Sequence, residues 1–213
     1  MTKSILVLAL SAAVACSADV IYSNADPASD QQTSVFYSTG YTQLGDQIHM
    51  TSAGTLTSVD AQFFNVGSDA TFDAVLSFYQ VGSPVGAQIG GSFLATNAFI
   101  AGGTSQTVTF SNLGGILIPA DVIVTLAVEN VSAGGDIGVN FFDPPTVGTS
   151  DDTFFIANDG TGLAQASTNL DIDNIYLVAN SGAAVPEPAT AGAVALCLAV
   201  LVRFRYGRHG KSQ

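Results

Sequence analysis

Apolar and polar side chains alternate along much of this chain, and the alternation limits the possible folds more than any other feature. In residues 72–79 every even-numbered position is apolar, whereas Asp73 and Ser77 are polar. Residues 121–130 repeat the pattern, with apolar side chains at each even position up to 128. Successive side chains of a β-strand point to opposite faces of a sheet, so both segments are predicted to form half-buried strands.

Short strands with frequent turns are predicted throughout the middle of the chain. The further candidate strands cover residues 34–41, 47–51, 56–66, 93–100, 107–110, 137–142, 153–157 and 174–179. Glycine-, proline- and asparagine-rich turns separate them, as at residues 82–84 and 112–115. About nine or ten short strands at this spacing predict an all-β fold, an antiparallel β-sandwich that is jelly-roll-like.

Charge is divided by position along the chain. The five basic residues are Lys3, Arg203, Arg205, Arg208 and Lys211. Of the 17 acidic residues, all but Glu187 lie between Asp19 and Ala184, a segment without lysine or arginine and with a formal charge of −16. Nucleic-acid binding and attachment to anionic lipid both need basic side chains, so this segment is predicted to do neither. It favours neutral partners or divalent cations.

The side chains that nucleophilic catalysis requires are scarce. Cys16 and Cys197 lie outside residues 19–184, which therefore contain no thiol for a disulfide or a thiolate metal site. His49 is the one histidine of that segment, and no Gly-x-Ser-x-Gly elbow occurs. We interpret His49 as an exposed or hydrogen-bonded strand residue and predict no enzyme. The alternative, an extracellular hydrolase, would need His49 or a pair of aspartates in a cleft.

The N-terminal residues 1–18 have the order of a secretory signal peptide. Lys3 precedes an apolar run over residues 5–14, and Cys16 and Ala18 are small residues at the −3 and −1 positions of a cut before Asp19. The alternative is a lipoprotein signal in which Cys16 is lipidated.

The C-terminal part carries a second ordered pattern. The motif Pro186-Glu187-Pro188 precedes an apolar run over residues 189–202, and Arg203, Arg205 and Arg208 follow. As a helix, the run covers about 21 Å of a bilayer core of about 30 Å, so it predicts a marginal transmembrane-like helix. Its basic end is expected to stay cytoplasmic.

This order of motif, apolar helix and basic cluster resembles the PEP-CTERM sorting signal, over residues 185–213. The resemblance implies recognition by an exosortase-type membrane peptidase, removal of the helix, and delivery to the cell surface or an exopolysaccharide matrix. By match, Pro186, Glu187 and Pro188 are the recognition motif, and Arg203, Arg205 and Arg208 are the retention cluster. In this chain Phe204 and Tyr206 interrupt the arginine cluster, whereas the cluster of the family is more compact. The alternative is a plain C-terminal membrane anchor.

Calcium is the candidate ion, and no other cofactor is predicted. Carboxylate and amide oxygens suitable for it are concentrated late in the β segment, at Asp151, Asp152, Asp171, Asp173 and Asn174. The alternative for these residues is ordinary turn chemistry.

Aromatic pairs raise the question of an exposed surface. The pairs 63–64, 141–142 and 154–155 each place one phenylalanine on either face of a strand, so one ring of each pair is predicted to lie off the core. An exposed cluster would indicate an interaction surface, and the alternative is that these rings belong to the core.

The predicted organisation has four parts: a helical signal peptide over 1–18, a β-sandwich domain over 19–180, a linker with the Pro-Glu-Pro motif over 181–188, and the apolar helix with its basic tail over 189–213. Together these predict an exported, noncatalytic cell-surface or matrix protein. The alternative is a carbohydrate-binding module with structural calcium.

Overall fold

The computed structural model describes residues 18–25, 30–158, 161–166 and 174–182, without the side chains of 30–33 and 152. The strands are β1 (Asp19–Ser23), β2 (Asp30–Phe36), β3 (Tyr41–His49), β4 (Gly54–Asn65), β5 (Ala70–Tyr79), β6 (Gln88–Ile100), β7 (Thr104–Ser111), β8 (Leu117–Ile118), β9 (Asp121–Glu129), β10 (Ile137–Asp143), β11 (Thr149–Asn158), β12 (Ala164–Gln165) and β13 (Leu177–Ser181). No α-helix occurs within these described segments.

The strands form two antiparallel sheets. Sheet A has the order β1-β13-β4-β10-β2, and both β7 and β8 also pair with β4. Sheet B has the order β12-β11-β3-β9-β5-β6. Strands from the first half of the chain pair with strands from the second half, as in β1 with β13, β2 with β10 and β3 with β9.

The hydrophobic core lies between the two sheets. Phe63 of sheet A meets Phe72 of sheet B edge-on, with ring centroids 5.1 Å apart. Phe141 of sheet A meets Phe154 of sheet B in the same way at 5.5 Å. All four rings are buried, and such edge-to-face pairs are favourable beyond the apolar area that they bury. The predicted all-β fold with two packed antiparallel sheets is confirmed.

The burial pattern predicted from the alternation is found in β5 but not in β9. In β5 the even-numbered residues 72–78 are buried, as predicted. In β9 the prediction of a half-buried strand is wrong, because Ile123 and Thr125 on its outer face are 0% and 1% exposed. The neighbouring Tyr79 lies opposite Ile123, and its hydroxyl donates to Gln43 of β3 at 3.4 Å. Its ring therefore crosses β9 and covers that face.

Two predicted strand boundaries are corrected. Residues 34–41 do not form one strand, because β2 ends at Phe36, a 3-10 turn covers Tyr37–Thr39, and Gly40 has a φ of 99°. Residues 47–51 are not a separate strand, because most of them are the end of β3. Strands β1, β8 and β12 were not among the predicted strands.

The predicted terminal helices and the linker motif lie outside the described residues. The chain divides after Gly182, and residues 183–213 belong to that undescribed part. In the described segments there is no helix whose length and hydropathy would allow it to cross a membrane.

Candidate functional site

The candidate residues from the sequence are the sorting residues, the calcium candidates and His49. The sorting residues Pro186, Glu187, Pro188, Arg203, Arg205 and Arg208 lie outside the described part of the chain. Of the calcium candidates, Asp171, Asp173 and the side chain of Asp152 also lie outside it. Asp151, Asn174 and His49 are described, and each has defined hydrogen-bond partners.

Asn174 and Asp151 belong to separate hydrogen-bond networks. The fully buried Asn174 donates its amide to Asp143 at 2.6 Å, and its carbonyl Oδ1 has no partner among the described residues. Asp151 instead bonds to His49 and Gln47. Within the described residues no three histidine, cysteine or acidic side chains group as a metal site would require. Calcium binding by the five candidate residues stays a prediction.

His49 is held between two carboxylates on adjacent strands of sheet B. Its Nδ1 lies 2.5 Å from Oδ1 of Asp121, the residue directly opposite on β9. Its Nε2 lies 2.6 Å from Oδ1 of Asp151 on β11, where the side-chain amide of Gln47 donates to the other carboxylate oxygen. We name His49, Asp121 and Asp151 the His49 clamp. The clamp ties three strands together, β11, β3 and β9.

The clamp favours the protonated imidazole. The hydrogen bond that His49 donates to Asp121 is the largest cause that raises the pKa of His49, followed by the one that it donates to Asp151, and partial burial opposes both. An imidazolium donates from both nitrogens, whereas a neutral ring could donate to only one of the two carboxylates. Both nitrogens are thus engaged, and neither is available as a general base or a metal ligand while the clamp holds. The interpretation of His49 as a hydrogen-bonded strand residue is confirmed.

The raised pKa of His49 makes part of the folding free energy depend on pH. The clamp contributes fully below about pH 6.5, the ordinary pKa of histidine, and its contribution is lost as the pH rises through the higher folded pKa. Because His49 is 29% exposed, we expect an effect of about 1 kcal/mol at most. The measurement is the urea midpoint of wild type and His49→Gln at about pH 5.5 and about pH 8.5. The wild type should lose more stability on going to the higher pH, and an identical loss in the variant would show that the clamp does not carry it.

The aromatic pairs separate between the core and the outer faces. Phe63 and Phe141 are core residues, whereas their neighbours Phe64 and Phe142 are partly exposed on the outer face of sheet A. The predicted off-core ring is therefore confirmed for these two pairs. In the third pair Phe155 lies on the outer face of sheet B opposite Gly45, but it is buried there.

Four rings share the outer face of sheet A. Phe36 and Phe64 lie with centroids 6.2 Å apart, and Phe142 meets Tyr176 edge-on at 5.1 Å. We name these four residues the aromatic face. The doubled phenylalanines predicted two of these outward rings, whereas Phe36 and Tyr176 are brought beside them only by strand pairing.

The fold and these sites define the chain as an all-β protein of two packed antiparallel sheets. No protein-family model matches the chain, and no curated protein matches it. One solved structure, titled "Structure of infectious bursal disease virus Gt strain", is similar at 14% identity with a TM-score of 0.29. The alignment covers 91% of this chain and 51% of the viral chain, so this chain spans about half the length of that one.

Proposed function

We propose that this chain is an exported, noncatalytic protein of the cell surface or extracellular matrix, sorted through its C-terminal segment. The observation that carries the proposal is the order of Pro186-Glu187-Pro188, the apolar run 189–202 and the arginines after it. The signal-like residues 1–18 support export. An exosortase-type membrane peptidase is the partner that the resemblance to PEP-CTERM signals implies.

The described domain fits a structural or binding role. The pairing of first-half strands with second-half strands supports a jelly-roll-like sandwich. His49, the one imidazole between Asp19 and Ala184, has both nitrogens bonded to carboxylates. That engagement weakens the alternative of a His-dependent extracellular hydrolase, because a base must be free to take a proton.

The sorting proposal predicts a shortened mature protein. Recovered from the surface or medium of the native host, the chain should begin at Asp19 and end near Pro186–Pro188, without residues 189–213. Intact-mass spectrometry measures both ends at once. Glu187→Ala should leave the longer form in the membrane fraction, because it removes the one charge of the recognition motif.

Glu129 provides the matched control, since it is the one other glutamate and lies exposed at the end of β9. Glu129→Ala should be processed like the wild type. A wild-type protein that keeps Arg203 to Gln213 in the membrane would overturn the processing claim and leave an anchored ectodomain.

A second candidate function is carbohydrate binding, and the aromatic face favours it. Rings of this kind pack against the apolar faces of sugars, and a β-sheet holds them in fixed positions. The two candidates are compatible, since a matrix protein can bind the polysaccharide that surrounds it.

A further inference from the structure

A glycine leaves the space that one ring of the aromatic face occupies. Gly138 of β10 lies between Phe36 of β2 and Phe64 of β4 in one cross-strand row. A Cβ on Gly138 would come within 2.8 Å of Cδ1 of Phe36 and within 2.4 Å of a backbone oxygen. Any side chain at this position would therefore displace the Phe36 ring. With glycine there, the two rings lie next to each other across the strand as an apolar floor, with their planes tilted by 59°.

The second ring pair extends this floor along the strand. Phe142 lies four residues beyond Gly138 on the same face of β10, about 13 Å at the usual rise of a strand. The partly exposed Tyr176 packs against Phe142 and is hydrogen-bonded to Thr107 of β7. Burial is the main cause that raises the pKa of Tyr176, so the phenol stays protonated and can still donate a hydrogen bond. Two apolar platforms at this separation suit a chain-like ligand better than a single ring.

Amides and hydroxyls lie between and beside the two platforms, with Ser105 opposite Phe64 and Thr107 opposite Gln62 on β7. The buried Asn140 donates to Gln62 at 2.6 Å and to Ser105 at 2.9 Å, and it accepts from Ser34 at 2.6 Å. Gln62 is partly exposed and Ser105 is exposed, as is Thr107. The buried amide thus holds the side chains above it in fixed orientations, with donors and acceptors facing solvent. This combination of apolar floor and oriented polar groups is typical of small-molecule sites.

Charge excludes an acidic ligand, and the face itself presents uncharged rings, amides and hydroxyls. No lysine or arginine occurs between Asp19 and Ala184, so this face has no cation to balance an acidic sugar. The ionisable group beside Tyr176 is the carboxylate of Asp60, which accepts a hydrogen bond from Thr109 at 2.6 Å. A carboxylated or sulfated polysaccharide would be repelled by the formal charge of −16 in this segment.

We propose that the aromatic face binds a neutral, hydroxyl-rich polysaccharide. The rings of Phe36 and Phe64 pack against the C–H face of one hexose unit, and those of Phe142 and Tyr176 pack against another unit further along the same chain. Gln62, Ser105 and Thr107 bond to the hydroxyls between them. The proposal extends the second candidate function and does not depend on processing of the C-terminal segment.

The test is affinity electrophoresis of the full-length chain, purified in a mild nonionic detergent. Hydroxyethyl cellulose, dextran and galactomannan serve as neutral probes, and alginate serves as the anionic one. At least one neutral probe should retard the protein and alginate should not. Phe64→Ala and Tyr176→Ala should each weaken the retardation about tenfold.

Phe99 is the matched control, because it is a 57% exposed ring of sheet B, away from the aromatic face. Phe99→Ala should bind like the wild type, and thermal melting of all three variants verifies that they are folded. Three outcomes overturn the proposal: no retardation by any neutral probe, equal retardation by alginate, or an equal loss in Phe99→Ala. Light scattering tests a fourth outcome that would overturn the proposal. If the wild type is a dimer that binds no glycan, and Phe64→Ala is a monomer, then a second copy of the chain occupies the aromatic face. Correct processing alongside any of these would leave the sorting proposal intact.

Discussion

Replacing Phe63 by alanine is expected to lower the free energy of unfolding by about 3–5 kcal/mol. Phe63 is fully buried on β4, and its ring meets Phe72 of the opposite sheet at 5.1 Å. The truncation removes apolar burial and leaves a cavity between two sheets, which strand pairing prevents from closing. Denaturant unfolding, followed by circular dichroism, measures the loss.

The adjacent ring is the control for this prediction. Phe64 differs from Phe63 only in the face of β4 to which it points, and it is partly exposed. Phe64→Ala should therefore cost about 1 kcal/mol. If the two variants lost equal stability, the assignment of Phe63 to the core and Phe64 to the outer face would be contradicted. The same control shows that Phe64→Ala is folded, which the binding experiment requires.

Asn24→Ala is expected to cost about 3 kcal/mol. Asn24 is fully buried just after β1, and its side-chain amide lies within hydrogen-bond distance of the backbone carbonyls of Phe142, Asn174 and Ile175. Its own carbonyl accepts from the backbone N–H of Leu177 at 2.8 Å. Alanine would leave several buried backbone groups without their partner, each at a desolvation cost.

Asn180 is the matched control for Asn24. It lies on β13, is partly exposed, and donates one side-chain hydrogen bond to Ser58 at 3.1 Å. Water can replace that bond, so Asn180→Ala should cost less than about 1 kcal/mol. The measurement is the urea midpoint of each variant, from which the two losses of stability are compared. Equal losses would mean that the buried hydrogen bonds of Asn24 stabilise the native state no more than the partly exposed bond of Asn180 does.

Local pattern predicted the class of fold but not the pairing of its strands. The alternation in β5 correctly predicted which of its residues are buried, because successive side chains of a strand point to opposite faces of the sheet. Whether the opposite face meets water depends on what crosses it. Tyr79 of β5 covers Ile123, and the sequence of residues 121–130 does not predict this.

The candidate site depended still more on register. Asp121 and Asp151 lie 72 and 102 residues from His49, and only the pairing of β9 and β11 with β3 brings them together. A register shift of one residue would turn each carboxylate to the other face of its strand. Phe64 and Phe142 could be suspected from sequence, because a doubled phenylalanine in a strand must place one ring outward. Their companions Phe36 and Tyr176 come from β2 and the segment before β13, whose alignment no local pattern records.

The pairing of β1 with β13 bears on the order in which the chain can fold. Asp19 and Ser181 are partners 162 residues apart, and β13 lies between β1 and β4 in sheet A. Sheet A is therefore incomplete until nearly the whole domain has been synthesised, and contacts of such high sequence separation slow folding. Until β13 has been synthesised, β1 has no strand to pair with in sheet A. This late completion of sheet A is compatible with the proposed export, because a chain that folds slowly is still unfolded when it reaches a secretion channel.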